Sequence, residues 1–304
     1  MGLGRINHGW WRIVCLFIWG LLVSIPSLFA YENEKSAFEE VPFKPLDTME
    51  RVQAEMGIEK HRFFMGPVIS EFDYEEPSLM TEEGRLQGAM ARYAFRDQQG
   101  GMFQAEIQAE WGDLDYDGGF QDGTPLETST NDYLIEGRIL GGIDCLAAER
   151  HLVTPFLGVG YRYWNDEIEG RGGYEREISY WYIPLGIQTM SPIASFFTLG
   201  LHVEYDLFVE GKVTSHLNHA DASLGILYND QLSGKGWGMK GSIQMRFLFL
   251  DRYWILMEPF ISYWEMADSE PVRIYYDAAA GQEIIGLEPE NNTTHYGLRI
   301  LMEL

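Results

Sequence analysis

Ten stretches of the chain alternate between apolar residues and polar or small ones with a period of two. They cover 64–75, 85–96, 102–113, 132–144, 153–165, 177–190, 195–210, 237–249, 254–266 and 293–304. Successive side chains of a strand point to opposite faces, so this period predicts ten β-strands, each with one apolar face. In 102–113, Phe103, Ala105, Ile107, Ala109 and Trp111 oppose Gln104, Glu106, Gln108 and Glu110. In 195–210, Phe197, Leu199, Leu201, Val203, Tyr205 and Leu207 oppose Thr198, Gly200, His202, Glu204 and Asp206. In 153–164, Leu157, Val159, Tyr161 and Tyr163 oppose Gly158, Gly160 and Arg162. The pattern is least regular in 64–75, which also holds Pro67.

Each stretch has about ten residues or more, the length a tilted strand needs to cross a bilayer. Tyrosine and tryptophan gather near the strand ends: Tyr133, Tyr161, Tyr163, Trp164, Tyr180, Trp181, Tyr182, Tyr205, Trp237, Trp254, Tyr263 and Trp264. Amphipathic rings in such places suit the two girdles of a membrane barrel. The opposite faces carry Glu71, Arg92, Glu106, Glu110, Glu136, Arg138, Arg162, Glu204, Lys240, Arg246, Glu258, Arg299 and Glu303. A dry core does not accept such groups unpaired. In a narrow ten-stranded barrel, long Arg and Glu side chains would cross the lumen and pair, closing it. The alternative is a selective pore lined by the same charges.

The connections support that architecture. Those after the second, fourth, sixth and eighth stretches are short, while 76–84, 114–131, 166–176, 211–236 and 267–292 are mostly longer. Short and long connections alternate in bacterial outer-membrane barrels, and a soluble sandwich has no reason to sort its loops this way. The predicted fold is all-β: a transmembrane antiparallel up-and-down β-barrel of about ten strands over 63–304.

On the fragments VTPFLGVGYRYW (153–164) and THYGLRILMEL (294–304), the chain resembles the bacterial outer-membrane β-barrel class over roughly 63–304. The resemblance implies a monomer in a Gram-negative outer membrane, among membrane lipid and lipopolysaccharide. It also implies recognition of the last strand by the barrel-assembly machinery. Leu304 stands where an aromatic is usual.

Composition narrows the partners. The chain has 304 residues and a formal charge of −24. That argues against nucleic acid, which needs a basic face, and suits divalent cations or basic partners. Arg5 and Arg12 precede an apolar run from Ile13 to Pro26, and Ser27–Ala30 follow as a cleavage region. The run is short of the roughly twenty residues that span a bilayer as a helix, so 1–30 is expected to be a cleaved signal peptide. Cys15 would leave with it, and Cys145 alone permits no internal disulfide. Residues 31–62 read as a periplasmic N-terminal segment, or one tucked at the barrel mouth, with a short helix over 48–60 whose Met49, Val52 and Met56 share a face.

Candidate chemistry lies in the long connections. Asp113, Asp115, Asp117 and Gly118 open like a calcium loop, but position twelve is Thr124, where a bidentate Glu is needed. A looser Ca2+ site is the remaining metal reading, against a solvated acidic loop; no other cofactor is expected. His216, Asn218, His219 and Asp221 could supply two metal ligands or a general base, and the sequence shows no third ligand. Ten-stranded outer-membrane barrels include the omptin proteases, which set an Asp pair against a His–Asp pair above the membrane. Asp113 and Asp115, at the outer end of the third stretch, could face His219 and Asp221, but the spacing does not reproduce omptin motifs and no residue role is carried over. No G-x-S-x-G stretch is present. Loop 267–292 sets Ile274, Tyr275, Tyr276, Ile284 and Ile285 among acids, to bind a partner or fold over the mouth. The expectation is a non-enzymatic surface protein for binding, adhesion or envelope integrity. A narrow solute channel and an omptin-like surface protease are the alternatives.

Overall fold

The structure is a computed structural model that describes residues 46–119, 123–147, 150–170, 172–232, 234–250, 252–277 and 282–304. The expected signal peptide and residues 31–45 lie outside the described residues. One helix, α1 (Leu46–Glu55), precedes the strands. The strands are β1 (His61–Glu76), β2 (Met80–Arg96), β3 (Gly101–Gly119), β4 (Pro125–Ile143), β5 (Cys145–Ala147), β6 (His151–Ile168), β7 (Glu175–Ala194), β8 (Phe197–Ser215), β9 (Leu227–Gln231), β10 (Gly236–Phe249), β11 (Tyr253–Met266), β12 (Val272–Asp277), β13 (Gln282–Gly286) and β14 (Asn291–Glu303).

Ten of these form one closed antiparallel barrel, in the order β1, β2, β3, β4, β6, β7, β8, β10, β11, β14 and back to β1. The seam pairs Ile69 with Leu298, and β8 meets β10 at Val203 and Gly241. Closure gives every stave two neighbours and leaves no open edge, the condition for strands to sit in lipid. β5 pairs with β6, β9 extends the outer half of β8, and β12 and β13 make a separate hairpin.

The wall inverts the usual order of burial. On β3, Phe103, Ile107 and Trp111 are exposed outside, while Gln104, Gln108 and Glu110 are buried inside. An apolar outer face is stable only against hydrocarbon. The inner face is not wholly polar, however. Phe72, Tyr74, Leu86, Leu114, Leu134, Trp164, Tyr180, Tyr182 and Trp264 form an apolar layer inside the barrel, towards its long-loop end. Trp164, Tyr180, Tyr182 and Trp264, expected in the girdles, therefore point inward. Gly160 makes room for one of them: a Cβ there would lie 2.1 Å from Cζ of Tyr182.

The strands run further than predicted. β3 has 19 residues and β7 has 20. At about 3.3 Å per residue and a tilt near 40°, such a strand rises roughly 45–50 Å, against an apolar band of about 25 Å. Outward apolar residues stop near Trp111, Tyr133, Tyr163, Trp181 and Tyr263, and pairing continues above them with polar outward residues such as Asp113, Asp115, Asn131 and Glu167. The expected loops 76–84, 114–131 and 166–176 are thus mostly strand, turning between Glu76 and Met80, Gly119 and Pro125, and Ile168 and Glu175. Apolar alternation marks the bilayer, whereas backbone pairing continues into water. Glu71, expected inside, faces out and meets Arg85 at 2.7 Å, because the inward phase of β1 falls on Val68, Ser70 and Phe72.

At the short-turn end, α1 begins two residues before the expected 48 and ends five before the expected 60. Val52, Met56 and Ile58 pack with Leu152 and Met190, with Met49 alongside. Arg246 donates from Nη1 to the carbonyl of Met56 (2.7 Å) and from Nη2 to that of Gly57 (2.8 Å). The helix is thereby fastened to the inner wall at this mouth. No helix among the described residues is long and apolar enough to cross a membrane.

Candidate functional site

The lumen is crossed by ion pairs in tiers. Nearest the short turns, Arg96 pairs with Asp144 and Gln188, and Arg246 with Glu303 at 2.6 Å. In the middle, Glu106 lies between Arg92 and Arg138. Glu258 accepts from Arg92 (2.9 and 3.1 Å), Arg299 (2.6 Å) and Gln244 (3.1 Å). Glu204 accepts from Arg138 at 2.6 and 2.8 Å and lies 3.1 Å from His202. Further out, Glu136 takes both Lys240 and the Tyr182 hydroxyl, and Lys240 reaches Asp206 at 3.2 Å. Glu110 accepts from Ser70 at 2.5 Å. Arg162 lies over the Phe72 ring and opposite Glu136 in register. The predicted lumen residues, from Arg92 to Arg299, all stand on this inner wall.

Little space is left between them. Two cavities lined by these side chains measure about 30 and 10 Å³. The larger is lined by Arg62, Arg92, Gln104 and Gln244 among others, and the smaller by Glu136, Arg138, Lys240 and Arg299. Spaces of this size hold single waters, not a column of them.

A second cluster closes the long-loop end, inside the extended part of the wall. Arg176 donates to Asp166 (2.7 Å), Glu76 (2.9 Å) and Glu82 (3.1 Å), and its guanidinium lies over the rings of Tyr74 and Trp164. Asp132 accepts from the Trp164 indole at 2.6 Å and from Thr130. Single oxygens of Glu82, Asp132 and Asp166 lie within 4.8 Å of one another, all buried. Glu288, from the connection between β11 and β14, completes the cluster at 3.9 Å from Arg176 and accepts from the Tyr74 hydroxyl at 3.4 Å. Burial pushes the Glu288 carboxyl up to about 7; Glu76 pushes the same way and Arg176 opposes. One guanidinium thus ties β1, β2, β6 and the outer loop together.

Most of these residues fall in stretches that the sequence pattern assigns to loops, so the cluster is not apparent from that assignment. The signal was present: Asp132 shares the parity of Glu136 and Arg138, and Asp166 that of Arg162 and Trp164. Carrying the alternation past the girdle would have found both.

The residues singled out for chemistry do not assemble as expected. Asp113, Asp115 and Asp117 point outward from β3 and are exposed. Alternate residues of a strand stand about 6.6 Å apart, so this row does not wrap a cation as a calcium loop does. Asp113 accepts instead from Asn131 on β4 at 3.2 Å. His219 ends a 3-10 turn (Leu217–His219) after β8 and is exposed. Asp221 accepts from the backbone N–H and hydroxyl of Ser223, each at 2.8 Å, which holds its carboxyl below the usual range. Between β3 and β8 lie β4, β6 and β7, and the β3 aspartates face away from the lumen. Asp113 and Asp115 therefore do not face His219 and Asp221. In loop 267–292, the side chains of Ile274, Tyr275, Tyr276 and Ile284 lie outside the described residues; Ile285 is exposed.

The histidines acquire a neighbour that the sequence did not show. Pairing of β7 with β8 brings Glu175 to them, and Glu175, His216 and His219 each place one ligand atom within 4.8 Å of the others. Some forty residues separate Glu175 from His216, so no local motif announces the trio.

No protein-family profile matches the chain, and no curated protein matches it in sequence. Among solved structures it is similar to the crystal structure of the outer membrane protease OmpT from Escherichia coli. The two are 11% identical over 80% of this chain and 95% of that one, with a TM-score of 0.53. The fold is that of an outer-membrane β-barrel. The translocator domain of the autotransporter NalP from Neisseria meningitidis matches at 8% identity over 83% of this chain and 93% of that one, with a TM-score of 0.42. The P. putida toluene transporter TodX matches at 8% over 83% and 91%, with a TM-score of 0.32. At such identities the likeness concerns fold alone.

Proposed function

We propose that the chain is a non-conducting protein of the bacterial outer membrane, whose barrel anchors a polar, acid-rich crown at the cell surface for binding. The observation that carries this is the side-chain filling of the lumen: tiers of buried ion pairs and an inner aromatic layer. A solute channel needs a continuous wet path, and α1 and the Arg176 cluster occupy the two ends of any such path. The outward position of Asp113 and Asp115 removes the main support for an omptin-like site. In this reading the short turns face the periplasm and β14 is the strand met by the barrel-assembly machinery. Membrane lipid and lipopolysaccharide surround the apolar band.

The test is solute uptake into proteoliposomes. Swelling in small sugars and amino acids no faster than in protein-free vesicles is the expected result. Uptake that rises with protein content and falls with solute size would overturn the proposal.

A further inference from the structure

We propose that Glu175, His216 and His219 bind a divalent transition-metal ion of the zinc class at the long-loop end of the barrel. Two imidazoles and one carboxylate are a donor set that zinc accepts readily, with a fourth position left open. Their ligand atoms already lie within 4.8 Å of one another. Bonds of about 2.0–2.1 Å to a tetrahedral ion set donors about 3.4 Å apart, so little further approach is needed. His219 is exposed and free to make it.

Each piece of the trio is held from behind. The backbone N–H of His216 donates to the Glu175 carbonyl at 2.9 Å, fastening the histidine turn to the start of β7. The N–H of His219 donates to the His216 carbonyl at 2.9 Å, closing the turn that stacks the two rings at 5.3 Å. Asn165 donates to Oε1 of Glu175 at 2.8 Å and leaves the other oxygen for an ion. Glu177 lies 3.0 Å from Nε2 of His216 and is itself held by the Tyr163 hydroxyl at 2.8 Å. A carboxylate only accepts, so Nε2 carries the proton and Nδ1 of His216 keeps its lone pair for a metal. A carboxylate behind a ligating histidine is the common outer-shell arrangement of metal sites. A cluster gathered by charge alone has no reason to orient the imidazole this way. The soft-to-borderline nitrogen donors favour zinc, copper or nickel over calcium, which asks for six or more oxygens.

The experiment is a Zn2+ titration of tag-free, detergent-solubilised protein by calorimetry at pH 7.5, with folding monitored by heat-modifiable gel mobility. One ion per chain is expected. His216→Ala and His219→Ala should each weaken binding at least tenfold with unchanged gel mobility. Glu177→Gln, which meets the trio only at the back of His216, should weaken it about 10–100-fold. Cys145→Ser, at the opposite end, should bind as the native chain does. No uptake by the native chain, undiminished affinity in a His216→Ala/His219→Ala double variant, or displacement of Zn2+ by equimolar Ca2+ would overturn the proposal.

Discussion

Replacing Glu258 by alanine would strand two guanidinium groups inside the barrel. The Glu258 carboxylate accepts from Arg92, Arg299 and Gln244, and its side chain is 1% exposed. Removing one partner of a buried ion pair costs about 3–5 kcal/mol, because the remaining charge stays out of water. Here two cations share the carboxylate, but neither loses everything: Arg92 keeps Glu106, and Arg299 keeps Oε1 of Gln108 at 2.7 Å. The expected loss is therefore about 4 kcal/mol, within the single-pair range. Denaturant unfolding of the detergent-solubilised barrel, followed by tryptophan fluorescence and gel mobility, measures it. Joint replacement, Glu258→Leu with Arg92→Met and Arg299→Met, should recover most of the loss, since no charge is then left unpaired. A loss below about 1 kcal/mol for Glu258→Ala is the value of a solvated pair, and would mean that water fills the lumen.

Gly160→Val would drive a side chain into the Tyr182 ring and should cost about 1–3 kcal/mol by overpacking; an unchanged unfolding midpoint would contradict the inner aromatic layer. Glu288 has its folded-state carboxyl raised to about 7 from 4.5, so docking of its loop is favoured at low pH and weakens as pH rises towards and through 7. Limited proteolysis of 267–290 should therefore speed up between pH 5 and pH 8, and Glu288→Gln should flatten that dependence; a native profile flat across this range would refute the linkage. Cys145 is exposed at the short-turn end and Asp221 at the other. A membrane-impermeant maleimide should label Asp221→Cys in intact cells and Cys145 only after permeabilisation, and the reverse pattern would invert the orientation.

What the sequence revealed and what it hid divide along physical lines. Residues such as Ile107 and Trp111 face lipid, and lipid imposes a strict period of two, so the staves and their inward charges were legible. Above the girdle the alternation changes sense: on β3 Leu114 and Tyr116 are buried inside while Asp113, Asp115 and Asp117 face out, so the apolar-out pattern that marks a lipid-facing stave ends and Asp115 and Asp117 read as loop residues. The misplacement of Glu71 has the same root: beyond Ile69 the apolar residues Phe72 and Tyr74 turn inward, and Glu71, Asp73 and Glu75 take the outer face. Tyr182 and Trp264 were assigned to the girdle because an aromatic near a strand end suits either face; only the room left by Gly160 and its neighbours decides. The Arg176 cluster and the Glu175–His216–His219 trio rest on contacts between distant staves. Pairing register creates them, and composition does not.

The filled lumen is tested most directly by single-channel recording of the native chain in planar bilayers. The tiers of ion pairs predict insertion without conductance steps at any applied voltage. Reproducible steps of uniform size from the native protein, absent from protein-free controls, would contradict them.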